Sequence, residues 1–467
     1  MTLVALFLFA TAVGSIVWAR TARGDFCDPT SIVVAVWAVS FGLYVLRMLP
    51  YGPISAAAAA TLALGVGCLL AGIGVGRRLA RGPVPQVRPA PGIDIWLSAF
   101  GGLGIAGACW YLAEVHHVGG WEALRHAAHL RIALANYRIP SRFLFLEFFC
   151  IVAPIVGVSL AVTGHRLRRG HWLLVVGCVA ATWVSTDRTQ FFMIVLTSFF
   201  MYLYRHGPRL SLSRFLVATG TSGLLLVSSF LAIGYWTGRT PERLGLPLTL
   251  PGPSAAAPVP PPGATSVPTP DSTTPDRAVA GGGPSTLLAK ASTLYMYTTA
   301  SYAAFAIAFP LDRPRTWGVH AIYPIARALQ RLGWIRAELP PPIPRFVVVA
   351  SRNHRRVFFN GYTLLFYPLR DFGVAGVVVY CLAIGLGCGY VYERTRHARQ
   401  SPLHLLVVAQ ASVGLALSIF VNKFNNTASW YVLALTAAPF LVPGAARRLR
   451  QVIGRLARRP STRALVP

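Results

Sequence analysis

Lysine is nearly missing from this 467-residue chain: Lys290 and Lys423 are the only two. Acids are scarce as well, 14 against 43 basic residues, so a formal net charge of +29 rests almost wholly on arginine. Arginine in place of lysine, with abundant Ala, Gly and Pro, reads as codon bias. No RNA- or DNA-binding motif accompanies it, so the charge does not point to nucleic acid. Charged residues make up only 12%, about half the share in soluble domains. The seven cysteines form no CxxC pair and lie mostly inside apolar runs, which argues against disulfides and a zinc site. There is no Walker A, GxSxG or HExxH motif, and no carboxylate cluster suited to Mg²⁺. The paired acidic motif expected in the first outer loop of common polyprenyl-phosphate-sugar transferases is missing too. No internal repeat is visible, which weighs against a secondary transporter.

What remains is apolar. Hydrophobic residues make up 54% of the chain, mean hydropathy is +0.55, and many apolar runs approach the roughly 20 residues that cross a bilayer as a helix. These features predict an all-α, polytopic integral membrane bundle of about 11 spans, with a large extracytoplasmic loop near the C-terminal third. The expected spans are Thr2–Ala19, Ser31–Leu49, Ser55–Gly76, Ile93–Ala113, Phe143–Val162, Trp172–Ser185, Gln190–Tyr204, Phe215–Trp236, Gly373–Tyr392, Leu403–Val421 and Trp430–Val442. Leu294–Phe309 is either a further span or an outer, partly immersed helix.

Arginine clusters orient the bundle by the positive-inside rule. Arg77, Arg78, Arg81 and Arg88 mark one cytoplasmic loop, Arg166, Arg168 and Arg169 another, and Arg394, Arg396 and Arg399 a third. The N-terminus, the turn at Asp187-Arg188 and most of 237–372 then face outward. The chain divides into an N-terminal bundle (1–236), a Pro/Ser/Ala-rich insert read as disordered (237–290), an arginine-rich outer region (291–372), C-terminal spans (373–445) and a basic cytoplasmic tail (446–467).

The outer face gathers arginines and histidines. A helix is expected over Trp121–Tyr137, broken from the preceding span by Gly119-Gly120, with Arg131 and Arg138 on one face. That face either rests on lipid headgroups or binds phosphate. Arg188 lies in a four-residue turn between two spans, either as a satisfied ion pair with Asp187 or as a functional charge. A guanidinium fork fits phosphate oxygens and stays charged at any relevant pH, so several such groups can clamp a departing diphosphate without metal.

Three patches carry a family resemblance. Phe359-Asn360-Gly361-Tyr362-Thr363, then Arg370-Asp371-Phe372-Gly373-Val374-Ala375-Gly376, then Gly385-Leu386-Gly387 resemble the C-terminal part of bacterial oligosaccharide repeat-unit polymerases of the Wzy type. Ser185–Thr189 is similar to a short arginine turn in that family, and Tyr295–Tyr302 to its aromatic helix. The low-complexity insert departs from the family pattern. The DFG is not that of protein kinases, since no HRD accompanies it.

The resemblance implies a metal- and cofactor-independent glycosyltransferase on the outer face of the bacterial inner membrane. It would move a glycan from one polyprenyl diphosphate onto another lipid-linked oligosaccharide. Its implied partners are that substrate, membrane lipid, and a chain-length regulator and flippase of the same pathway. Arg188, with Arg352, Arg355 and Arg356, would hold the diphosphate. Arg131 and Arg138 would hold the second substrate, Arg370 would contact substrate, and Asn360 would either hydrogen-bond sugar or only close a turn. His354 or Asp371 would act as base, although Asp371 equally suits pairing with Arg370 or capping the next helix. The alternatives are an O-antigen-ligase-like transferase, a lipid-linked oligosaccharide flippase, and a noncatalytic scaffold.

Overall fold

The computed structural model describes residues 1–49, 51–80, 93–125, 148–184, 188–236, 286–309, 316–320, 346–350, 356–359 and 362–442, with a few single residues between these stretches. Twelve α-helices lie among them: α1 Thr2–Arg23, α2 Pro29–Val45, α3 Ala56–Leu79, α4 Ile93–Arg125, α5 Phe149–Val162, α6 Arg169–Val184, α7 Arg188–His206, α8 Leu212–Trp236, α9 Thr286–Ala308, α10 Phe366–His397, α11 Pro402–Ala416 and α12 Thr427–Leu441. A helix falls on each of the eleven expected spans and a twelfth on Leu294–Phe309. Five of them, α1, α3, α8, α10 and the Ile93–Glu114 part of α4, are long and apolar enough to cross a membrane. The class of the fold is therefore a helical membrane protein.

Local signals explain the helix ends. Asp28 caps α2 by accepting from the Thr30 and Ser31 N–H groups at 2.6 and 3.2 Å, with Pro29 in the first turn. Ser55 caps α3, and Gly24 closes α1 in the left-handed conformation at φ 76°. One expected break is absent. α4 runs unbroken through Gly119-Gly120 for 33 residues, about 50 Å by helical rise. Two glycines cost about 2 kcal/mol of helix propensity but remove no hydrogen bond, whereas proline would. Trp121–Arg125 thus extends the span, and 126–137, with Arg131 and Arg138, lies outside the described residues.

Apart from the helices, the described residues form one antiparallel ribbon, β1 Phe346–Ala350 with β2 Arg356–Phe359, pairing Phe346 with Phe359 and Ala350 with Arg356. Its FVVVA and RVFF sequences are β-branched and aromatic, the residue types that suit a pleated surface. The ribbon lies against α9. Most of the insert 237–290 and all of the tail 446–467 lie outside the described residues.

The closest helix pair is α3 with α10. A Cβ at Gly72 would strike the Leu382 carbonyl, and one at Gly76 the Leu386 carbonyl. Gly385 and Gly389 approach the Leu69 and Ile73 carbonyls in return. Small residues four apart on both helices let the backbones touch, the usual solution where lipid gives no hydrophobic drive between helices.

α9 is built into the core through its tyrosines. Tyr295 donates to the Leu43 carbonyl at 2.7 Å and accepts from the Met48 N–H at 3.0 Å. Tyr302 shares a 2.7 Å hydrogen bond with Ser40, and Tyr51 a 2.9 Å one with Thr299. Each buried hydroxyl is thereby satisfied, and α9 is held against α2.

α10 is not one straight rod. Gly373 sits at φ 69°, ψ −151° inside it, a region open to glycine and strained for other residues. The chain doubles back there. A Cβ at Gly376 would lie 2.7 Å from the Phe372 Cβ and against the Pro368 carbonyl, while Leu365 and Val377 both reach Gly65 on α3. The piece 366–372 therefore rises beside the start of the long piece 374–397, with Asp371 near the turn. By helical rise, Asp371 stands about 9 Å beyond Leu365.

Candidate functional site

The turn at Gly373 organises the candidate site. Asp371 is fully buried there. Its Oδ1 accepts from the Thr316 hydroxyl and from the His320 N–H, the latter at 3.2 Å. One carboxylate thus fixes both ends of the segment 316–320. Between those ends Trp317 takes φ 49° and Gly318 φ 88°. A bulky residue at positive φ is uncommon and costs energy that its surroundings must offset. The Asp371 clamp is the visible restraint. A Cβ at Gly318 would lie 2.9 Å from the tip of the Phe372 ring, and the positive φ there strains any other residue.

The clamp presents two exposed rings. Trp317 is 73% exposed and Phe372 40%, edge to face at 6.4 Å. Behind them His320 is buried, with Tyr323 and Tyr367 rings 6.4 and 6.3 Å from its own. Burial holds the His320 imidazole below its ordinary value. The Asp371 carboxylate opposes that shift, and the Arg370 guanidinium adds to it. A neutral imidazole beside a carboxylate and a half-buried arginine makes a compact acid–base group at the edge of an aromatic surface.

Of the residues expected in the site, Asp371 and Arg370 come together here. Arg188 opens α7 and Arg356 opens β2. Arg131, Arg138, Arg352, His354, Arg355 and Asn360 lie outside the described residues. Sequence reasoning missed Thr316, Trp317 and His320 as a unit, because nothing in their local pattern announces a clamp formed 51 residues away.

A second polar centre was also missed as such. Asp25 and Asp28, in the short link between α1 and α2, are both buried. Asp25 binds Arg399 at 2.8 Å and accepts from the Tyr392 hydroxyl at 2.7 Å. Arg399 also donates to the Tyr204 carbonyl at 2.7 Å. Asp28 pairs with Arg77 at 2.7 Å, and that guanidinium lies 5.2 Å over the Tyr392 ring. This knot ties the ends of α1, α3, α7 and α10 together.

A third feature is the break between α11 and α12. Each helix has 15 residues, about 22 Å of rise, against about 30 Å for a bilayer core. Lys423 is buried in the connecting turn. It lines a cavity of about 300 Å³ between α7, α10, α11 and α12.

A scan against protein-family models finds no match, and comparisons with curated proteins and with solved structures find none either.

Proposed function

We propose that this chain polymerises polyprenyl-diphosphate-linked oligosaccharide repeat units into a cell-surface polysaccharide, by glycosyl transfer on the outer face of the bacterial inner membrane. In this reading about 11 spans cross the membrane and the Gly373 turn faces outward, because the opposite end of α10 carries Arg394, Arg396 and Arg399. The observation that carries the proposal is the clamp. A buried carboxylate beside Arg370 holds Trp317 in a strained conformation and leaves its indole exposed with Phe372. Flat aromatic faces suit the apolar faces of sugar rings, Arg370 and Arg188 suit the diphosphate, and the His320 imidazole, held neutral by burial, suits deprotonation of an acceptor hydroxyl. The three sequence patches that resemble repeat-unit polymerases include this turn.

One observation favours a second reading. Lys423 sits in a break between two short helices, the arrangement by which a transporter would hold an anionic substrate within the bilayer. A flippase for the lipid-linked unit would use it so.

One experiment separates these readings. Chromosomal replacement by Arg188→Ala, Arg188→Lys and Trp317→Ala is followed by glycan length, with the amount of protein in the membrane measured in parallel. The expected result is loss of the polymer ladder with single repeat units still exported, and a partial defect for Arg188→Lys, which keeps charge but not the bidentate fork. Single units held on the cytoplasmic side would establish the flippase instead. An unchanged ladder at normal protein level would remove both roles.

A further inference from the structure

Trp317 and Phe372 stand at one end of a long exposed face. Beyond the Gly373 turn, Ala375, Val379, Leu382, Leu386 and Tyr390 follow one another at steps of three and four residues, and all are exposed. Such steps place them on one side of a helix. α10 is long and apolar enough to cross a membrane, so this face meets lipid.

Both ends of the face are marked. At the far end the Arg394 guanidinium lies 5.8 Å over the Tyr390 ring. Trp18 on α1 and Trp172 on α6 are exposed in the same kind of setting, with Arg20 two residues away and Arg169 three. Trp and Tyr collect where hydrocarbon gives way to headgroups, because one part of the side chain is apolar and another polar. At the near end Phe372 folds back over the long piece of α10. Its Cβ lies 2.7 Å from the place a Cβ would take at Gly376, beside the exposed Ala375. Trp317 meets Phe372 edge to face. From Gly373 to Arg394 the helix rises about 32 Å, against about 30 Å for a bilayer core. The length of the face and the rings at its ends agree on two boundaries, and Trp317 lies at the second.

We infer that Trp317 and Phe372 are a membrane contact, with their rings in the glycerol and headgroup layer of a phospholipid leaflet. The contact explains why an indole at positive φ is held out from the protein by the Thr316 and His320 bonds to Asp371. In water its exposure gains nothing, whereas at the interface lipid covers the ring. The partner is the leaflet itself, met through apolar and dipolar surface and not through charge. The Asp371–His320 group then opens at headgroup depth and is reached from the side by a molecule anchored in the leaflet. On the polymerase reading, that is the depth of a lipid-linked diphosphate. The lipid contact itself does not rest on that reading.

The test uses the full chain in phosphatidylcholine nanodiscs with a trace of one of two photoreactive phosphatidylcholines. One carries its diazirine on the first acyl carbons, the other at the chain end. Crosslinked residues are read by mass spectrometry. The shallow probe is expected to label Trp317 and Phe372 several times more strongly than the chain-end probe does, as it labels Tyr390. The chain-end probe is expected to favour Leu382, about 12 Å along the helix from Val374 and midway to Tyr390. Tyr390 labelled by the shallow probe with Trp317 and Phe372 bare would overturn the inference and leave the pair in water. No label on Leu382 from either probe would overturn it too, since the face would then be covered by a second copy of the chain. No glycan takes part in this measurement, so its failure is distinct from an unchanged polymer ladder.

Discussion

The contact between α3 and α10 makes a prediction of opposite sign for two glycines only two residues apart. At Gly76 an added Cβ runs into the Leu386 carbonyl, a backbone atom that no rotamer change can move aside. Overpacking of this kind costs about 3 kcal/mol, the upper part of the usual range. Replacing glycine by alanine inside a helix returns about 1 kcal/mol. Gly76→Ala is therefore expected to lose about 2 kcal/mol net. At Gly74 the added Cβ meets nothing, so Gly74→Ala keeps the propensity gain of about 1 kcal/mol. The two variants differ by about 3 kcal/mol, which in a chain of this size separates their melting temperatures by several degrees. Thermal unfolding in mild detergent, followed by tryptophan fluorescence, checks this. Equal melting temperatures for the two variants, or a Gly76→Ala protein as stable as the parent, would refute the close backbone contact. Pairing Gly76→Ala with a second change in α10 would not rescue it, because the obstructing atom belongs to the main chain.

Two further outcomes follow from the polar centres. Because burial lowers the His320 pKa, the unfolded chain takes up the proton first as pH falls. The stability this adds is complete above about pH 6.5 and drains away as pH falls through the folded value. Melting curves between about pH 5 and pH 8 should show the parent losing more on acidification than His320→Gln, and parallel curves would refute the shift. In the knot, Arg399→Gln leaves Asp25 buried with its main cationic partner gone, a loss of about 3–5 kcal/mol. The double variant Arg399→Gln with Asp25→Asn should recover much of it, and a double variant no more stable than the single one would argue against the pairing.

Helix positions were legible because apolar runs and arginine clusters report them directly. Gly72 and Gly76, like Gly385 and Gly389, stand four residues apart, but that spacing was not read, and only coordinates show that the two pairs meet. Gly373 stood out as the start of an apolar helix. That the chain reverses there was not legible, since a left-handed glycine and a helix N-terminus look alike in sequence. Asp371 stood out in the sequence as a candidate base, a partner of Arg370 or a helix cap. Its partners Thr316 and the His320 N–H could not be found, because they come from a separate segment rich in proline and arginine. Lys423 offered a readable signal that went unused: it is one of two lysines in a chain that otherwise uses arginine. Gly119-Gly120 misled, since glycine weakens a helix and does not end it.

The knot at Asp25 also has a consequence for biosynthesis. Asp25 meets Tyr392 and Arg399 across 367 and 374 residues of chain. During synthesis the link between the first two helices reaches the bilayer long before α10 exists. Until then Asp25 has no cationic counterpart from that helix and stays at the membrane surface, where water can solvate it. The first helical pair is thus inserted early but locked late, and release of the C-terminal third is the event that completes it. A chain truncated before Tyr392 would keep α1 and α2 but lose the Tyr392 and Arg399 contacts that hold the link between them.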